Sequence, residues 1–168
     1  MSIQIRDLEE NDSEQFADLL VQLSRETVHT LMTEQESIAL GKTQHERTQQ
    51  LILASNHKIL LAMYDEALVG FVGLTQGLFE RNKHCAALMI GVLVNYWEQG
   101  IARQLMQQSL LWAEARGIVR IEVDVLAANE RAIKLYQRFD FKEEGTKQAA
   151  LFVDNTYLDE ILMARVKC

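Results

Sequence analysis

Apolar positions in this chain recur at two spacings, and the switches between them mark out its elements. "SIQIR", residues 2–6, alternates apolar and polar side chains, the period of a half-buried strand. In "DSEQFADLLVQL" the residues Phe16, Leu19, Leu20 and Leu23 fall on one helical face, with Asp12 expected as the N-cap. Thr33 and Glu36 have capping-box spacing, which predicts a second helix from Thr33 through the apolar "QQLILA" turn. "KILLAMY" and "ALVGFVGL", separated by Asp65 and Glu66, read as a hairpin, and "HCAALMIGVLV" reads as a long buried strand. "GIARQLMQQSLLWAEARG" is helical, with Ile101, Ala102, Leu105, Met106, Trp112 and Ala113 as its buried stripe and Gly117 placed to end it. "IVRIEVDVL" alternates again, and "NERAIKLYQRF" returns to helical period behind Asn129 as N-cap. The chain closes on "DFKEEG" and "TYLDEILMAR", both strand-like. This order predicts an α/β sandwich, one mixed sheet with helices on both faces. No repeat or linker interrupts it, so a single domain over residues 1–168 is expected.

Composition narrows the partners. The 168 residues are 48% hydrophobic, enough for one substantial core. A net charge of −7 argues against a nucleic-acid groove, which needs a basic face, and is compatible with a cationic small substrate or simply with solubility. No apolar run spans a bilayer, and "MSIQIRDLEE" lacks the regions of a signal peptide, so no membrane partner and a cytoplasmic location are expected. The two cysteines, Cys85 and Cys168, have no metal spacing and form no disulfide framework; no metal is expected.

The junction "NYWEQGIARQLM", residues 95–106, carries the candidate chemistry. Its small residues are Gly100 and Ala102, placed where a strand turns into a helix. The first N–H groups of a helix have no internal partner, and together with the helix dipole they attract an anion wherever no side chain fills the space. A P-loop would need Lys and Ser or Thr directly after the glycine, and a dinucleotide fold would need three glycines spaced GxGxxG. Neither is present. From the residues alone, a tight turn and a phosphate site remain equal readings.

Two distant stretches, "VLVNYWEQGIARQLM" and "RIEVDVLAANERAIKLYQRFDFKEEG", together resemble the GNAT superfamily of acyl-CoA-dependent N-acetyltransferases. That family's pyrophosphate loop, Arg or Gln, two residues, Gly, one residue, then Gly or Ala, falls here on Trp97 to Ala102. The second stretch resembles its strand, Asn, Ala-Ile, Leu-Tyr, Gly-Phe and Glu-Gly pattern, and the likeness runs from about His84 to the C-terminus. The resemblance implies a mostly antiparallel central sheet splayed between its two central strands. It implies acetyl-CoA as co-substrate, with its pantetheine arm on the backbone of Ile90, Val92 and Val94. The pyrophosphate would lie on the amides of Gln99, Gly100, Ile101, Ala102 and Arg103, with Arg103 adding charge. Asn129 would contact the pantetheine, and the Tyr136 phenol would assist the departing thiolate. Asn129 is also a good N-cap, and Tyr136 shares the apolar stripe of Ala132, Ile133 and Phe139.

Several positions depart from the family pattern. Trp97 replaces the Arg or Gln, Glu98 stands where glycine is common and is expected to face outward, and Asp140 replaces the Gly before Phe141. Many members carry a catalytic Glu five residues before the position of Val92; here it is Ala87, and His84 is the nearest titratable substitute. The implied reaction is direct acetyl transfer to a primary amine in a ternary complex. The amine would enter near Glu34, Asp154 and Asp159. Without a strand carboxylate, a small α-amino compound or a peptide N-terminus is favoured as acceptor. A polyamine or protein-lysine acceptor, a non-catalytic acyl-CoA-binding module, and a homodimer stay open.

Overall fold

The structure is a computed structural model that describes residues 2–168. Seven strands form one sheet: β1 (Ile3–Asp7), β2 (His57–Tyr64), β3 (Ala67–Gln76), β4 (Cys85–Val92), β5 (Arg120–Leu126), β6 (Lys142–Val153) and β7 (Thr156–Val166). Their spatial order is β1-β2-β3-β4-β5-β7-β6, and every neighbouring pair is antiparallel except β4 with β5. Five helices, α1 (Ser13–Glu26), α2 (Glu34–Gly41), α3 (Gln44–Leu53), α4 (Ile101–Ala115) and α5 (Glu130–Arg138), complete the mixed α/β fold. No helix of the described residues is long and apolar enough to cross a membrane.

The strand period divides the core into two layers. On one face α1 lays Phe16, Leu19 and Leu23 against Leu61 and Phe71, and the Phe16 and Phe71 rings meet edge to face at 5.3 Å. On the other, α4 buries Ile101, Leu105, Met106 and Ala113 against Leu60, Val72, Leu88, Ile121 and Val123, and α5 adds Tyr136. Gly91 sits under α1 because a Cβ there would come 2.8 Å from Leu23 Cδ1. That close approach holds α1 beside the outer half of β4.

Several local expectations change in three dimensions. The helix expected from Thr33 onward is two, α2 and α3. The Thr33–Glu36 capping box is present, but the backbone turns between the helices, where the Thr43 N–H and hydroxyl both go to the Leu40 carbonyl. Threonine competes with a helix for its own backbone groups in this way. Asp12 precedes α1 without capping it, because its carboxylate is committed to Arg6 and to the Glu9 N–H. β4 alternates instead of being buried throughout, and it ends at Val92. The strand expected in "DFKEEG" continues to Val153. Both hairpins turn through consecutive left-handed residues, Asp65 and Glu66 (φ 44° and 72°) and Asp154 and Asn155 (φ 49° and 60°), the geometry that matches strand twist.

Candidate active site

The one parallel pair in the sheet is short. β4 and β5 pair only at Cys85 with Arg120, Ala86 with Ile121 and Ala87 with Glu122, although both strands continue. They splay from the Ala87–Glu122 rung outward. Alternate residues of a strand turn both N–H and C=O to the same neighbour. The bonds from Gly77 N–H to the Cys85 carbonyl and from Leu93 N–H to the Val69 carbonyl fix odd-numbered residues of β4 toward β3. Leu88 closes the last rung against Glu122, and Ile90 and Val92 turn theirs into the gap, where β5 no longer answers.

Past β4 the chain makes a 3-10 turn (Val94–Tyr96), passes Glu98 at φ 60° and reaches Gly100 at φ 80°. A Cβ on Gly100 would meet nothing within 4 Å, so the left-handed backbone, not crowding, is what calls for glycine. The first helical bond of α4 is from Gln104 N–H to the Gly100 carbonyl, and no side chain caps the helix. The N–H groups of Gly100, Ile101, Ala102 and Arg103 are thus left without a helical partner. By contrast α5 is capped, with Asn129 Oδ1 accepting from Ala132 N–H at 3.2 Å. Glu98 and Arg103 are exposed, Ala102 is half-buried against the core, and Asp140 takes φ 65° as its place after a helix demands.

Trp97, the departure from the family's Arg or Gln, ties this loop to the splay. Its indole Nε1–H donates to the Val92 carbonyl at 2.7 Å, and the Arg131 guanidinium lies over its ring. Arg131 makes no ion pair among the described residues, and its pKa is lowered by burial, an effect that the charge of Glu98 opposes. His29, in the α1–α2 loop, also has a lowered pKa, from burial and from Arg131 beside it. Tyr136 is 5% exposed, with its ring 5.6 Å from that of Phe141, and burial pushes its phenol pKa up.

Ile90 and Val92 lie at the splay, Gly100 to Arg103 open α4 beyond it, and α5 reaches the loop between them through Arg131 over Trp97, while Asn129 caps α5 and Tyr136 is buried in the core beside Phe141. Val94, expected on the strand, lies beyond it, and its N–H donates to Glu26 Oε2 at 2.9 Å. His84 is exposed on the paired side of the rung, three residues or about 10 Å along the strand from Ala87. Its carbonyl accepts from the N–H groups of Val119 and Arg120. Glu34 pairs with Arg25 at 2.6 Å. Asp159 accepts from Ala149 N–H at 2.8 Å across a bulge in β6, and Asp154 serves the β6–β7 turn. No sequence motif links Glu26, His29, Arg131 or Glu122 to the residue that each meets in the fold.

Residues 25–141 match the profile of the Acetyltransferase (GNAT) family. The L-amino acid N-acetyltransferase AaaT of Escherichia coli (strain K12) is 32% identical over 111 residues, covering 66% of this chain and 68% of that one. A GNAT-family acetyltransferase of Streptococcus pneumoniae superposes with a TM-score of 0.92 at 25% identity, over 99% of this chain and 100% of that one. YncA of Salmonella typhimurium, a putative acetyltransferase solved with its cofactor acetyl-CoA, shares the fold with a TM-score of 0.81 at 14% identity, over 99% and 94%. A splayed β4–β5 pair beside an uncapped α4, on a chain whose profile and relatives agree, places this protein in the GNAT family of acetyltransferases.

Proposed function

We propose that the enzyme moves the acetyl group of acetyl-CoA to the α-amino group of a small amino-acid-like compound or of a peptide N-terminus, by direct attack in a ternary complex. The observation that carries this reading is the gap beyond the Ala87–Glu122 rung, where Ile90 and Val92 offer strand backbone with no strand opposite. A pantetheine arm fits such an edge as an added strand. The uncapped N–H groups at residues 100–103 suit the pyrophosphate, and a N–H on β4 suits the thioester carbonyl, whose oxygen gains charge as the amine attacks. The Tyr136 hydroxyl then protonates the leaving sulfur.

The choice of acceptor rests on proton energetics and on the likeness to AaaT. A lysine-like amine with a pKa of about 10.4 must spend roughly 4–5 kcal/mol to become neutral at pH 7, whereas an α-amine of a peptide spends only about 1 kcal/mol. A small residue at position 87 supplies no help with the larger cost. Thiol release from acetyl-CoA tests the reading on four acceptors: an amino acid amide, a free amino acid, spermidine and lysine blocked at its α-amine. The amide or the amino acid should give the highest kcat/KM. A tenfold advantage for spermidine or blocked lysine would overturn the acceptor, and no release with any amine would leave a binding module.

A further inference from the structure

The carboxylate missing from position 87 has a neighbour. Ala87 is the last residue of β4 to pair with β5, and its partner is Glu122. Ala86 and Ile121, one residue earlier on each strand, are buried under α4, so Ala87 and Glu122 turn to the opposite face, where Ala87 is exposed and Glu122 half-buried. Paired strands lie about 4.8 Å apart, less than the reach of a glutamate side chain. A methyl group at position 87 leaves the space above the rung open to a carboxylate from position 122.

We propose that Glu122 is the proton acceptor for the amine during acetyl transfer, a role that rests on the acetyl-transfer reading above. Arg120 fixes the side chain, with Nε donating to Glu122 Oε1 at 2.5 Å. Its two terminal nitrogens bond Glu144, one of them at 2.9 Å. One guanidinium thus holds two carboxylates, and the trio keeps a net negative charge toward an arriving ammonium. Glu122 Oε2 accepts no hydrogen bond from the described residues, which leaves it for the substrate. The charged groups around it are Asp124 on its own strand, Lys147 of β6 paired with Asp124 at 2.5 Å, and Glu160 of β7. Beyond Ala87, Thr75 of β3 carries His57 of β2, with Nδ1 and Oγ1 3.1 Å apart.

The α-amine loses its first proton to solvent. As its lone pair forms the C–N bond, the nitrogen becomes an N-acylated ammonium, far more acidic than the free amine, and its proton passes to Glu122 Oε2. The C–S bond breaks, sulfur takes the Tyr136 proton, and the proton on Glu122 returns through water to the phenolate. The sum is amide, thiol and one released proton.

Glu122→Gln keeps an acceptor for Arg120 and removes the base. We expect kcat/KM for an amino acid amide to fall roughly 10²-fold, through kcat, with acetyl-CoA affinity and melting temperature unchanged. Adding Ala87→Glu to that variant puts a carboxylate back across the rung and should recover at least tenfold. A Glu122→Gln enzyme with wild-type kcat/KM, or a loss that Ala87→Glu does not relieve, overturns the assignment while wild-type turnover keeps the acetyl-transfer reading. Failure of the wild type with every amine removes both.

Discussion

The Arg131 guanidinium lies over the Trp97 indole, whose Nε1–H is bonded to the Val92 carbonyl, so α5 and the end of β4 are joined through one side chain at the mouth of the splay. Trp97 stands where the family pattern has Arg or Gln, and α5 brings a guanidinium over its ring. Hydrogen bonds to charged groups are worth about 1.5–3 kcal/mol. Arg131→Ala should therefore weaken acetyl-CoA binding about tenfold or more, and more at low salt, by calorimetry. Unchanged affinity would confine Arg131 to packing on Trp97.

At the start of α4 two substitutions should part company. Ala102→Glu puts negative charge among the unpaired N–H groups and should abolish acetyl-CoA binding in a protein whose circular dichroism is unchanged. Gly100→Ala crowds nothing, but it forces a Cβ to φ 80°, at a cost of about 1–2 kcal/mol. It should lower the melting temperature with little change in affinity.

Tyr136→Phe removes one oxygen and keeps the ring against Phe141. With general-acid assistance worth about 10²–10⁴ in rate, kcat should fall in that range while acetyl-CoA affinity stays constant. Because burial raises the phenol pKa, the wild type should hold its acid form to about pH 10 or beyond, and kcat should show no alkaline loss below that. Full turnover by the variant, where chemistry limits the rate, would make Tyr136 a core residue only.

Asp12 takes both terminal nitrogens of Arg6 at 2.7 Å and the Glu9 N–H at 2.8 Å, and the Arg6 bonds hold its pKa below the usual carboxylate value. A group with a lowered folded-state pKa contributes fully above its unfolded value, near 3.9, and loses the contribution as pH falls through the folded value. Stability should drop below about pH 4. Asp12→Asn should cost about 1–3 kcal/mol at pH 7 in urea denaturation and flatten that acid limb.

The elements were legible wherever one local rule governed them: the Thr33–Glu36 box, the Asn129 cap, the hairpin at Asp65–Glu66 and most of the stripe of α4 are all short-range matters of period and capping. The likeness of the junction and of the "NERAIKLY" stretch to GNAT loops was legible too, because backbone binding of phosphates needs small residues at fixed spacing. The break between α2 and α3 was not, since a periodic pattern does not register a threonine that bonds the preceding turn. Asp12 looked like a cap until the strand beside it supplied Arg6. The sequence shows an alanine at position 87; only strand register sets Glu122 across from it, 35 residues later in the chain. Local patterns determined most of the helices and strands of this protein and the glycine turn that opens α4. Which charges meet at the splay was decided by tertiary structure, because side chains far apart in sequence become neighbours only when the sheet has paired.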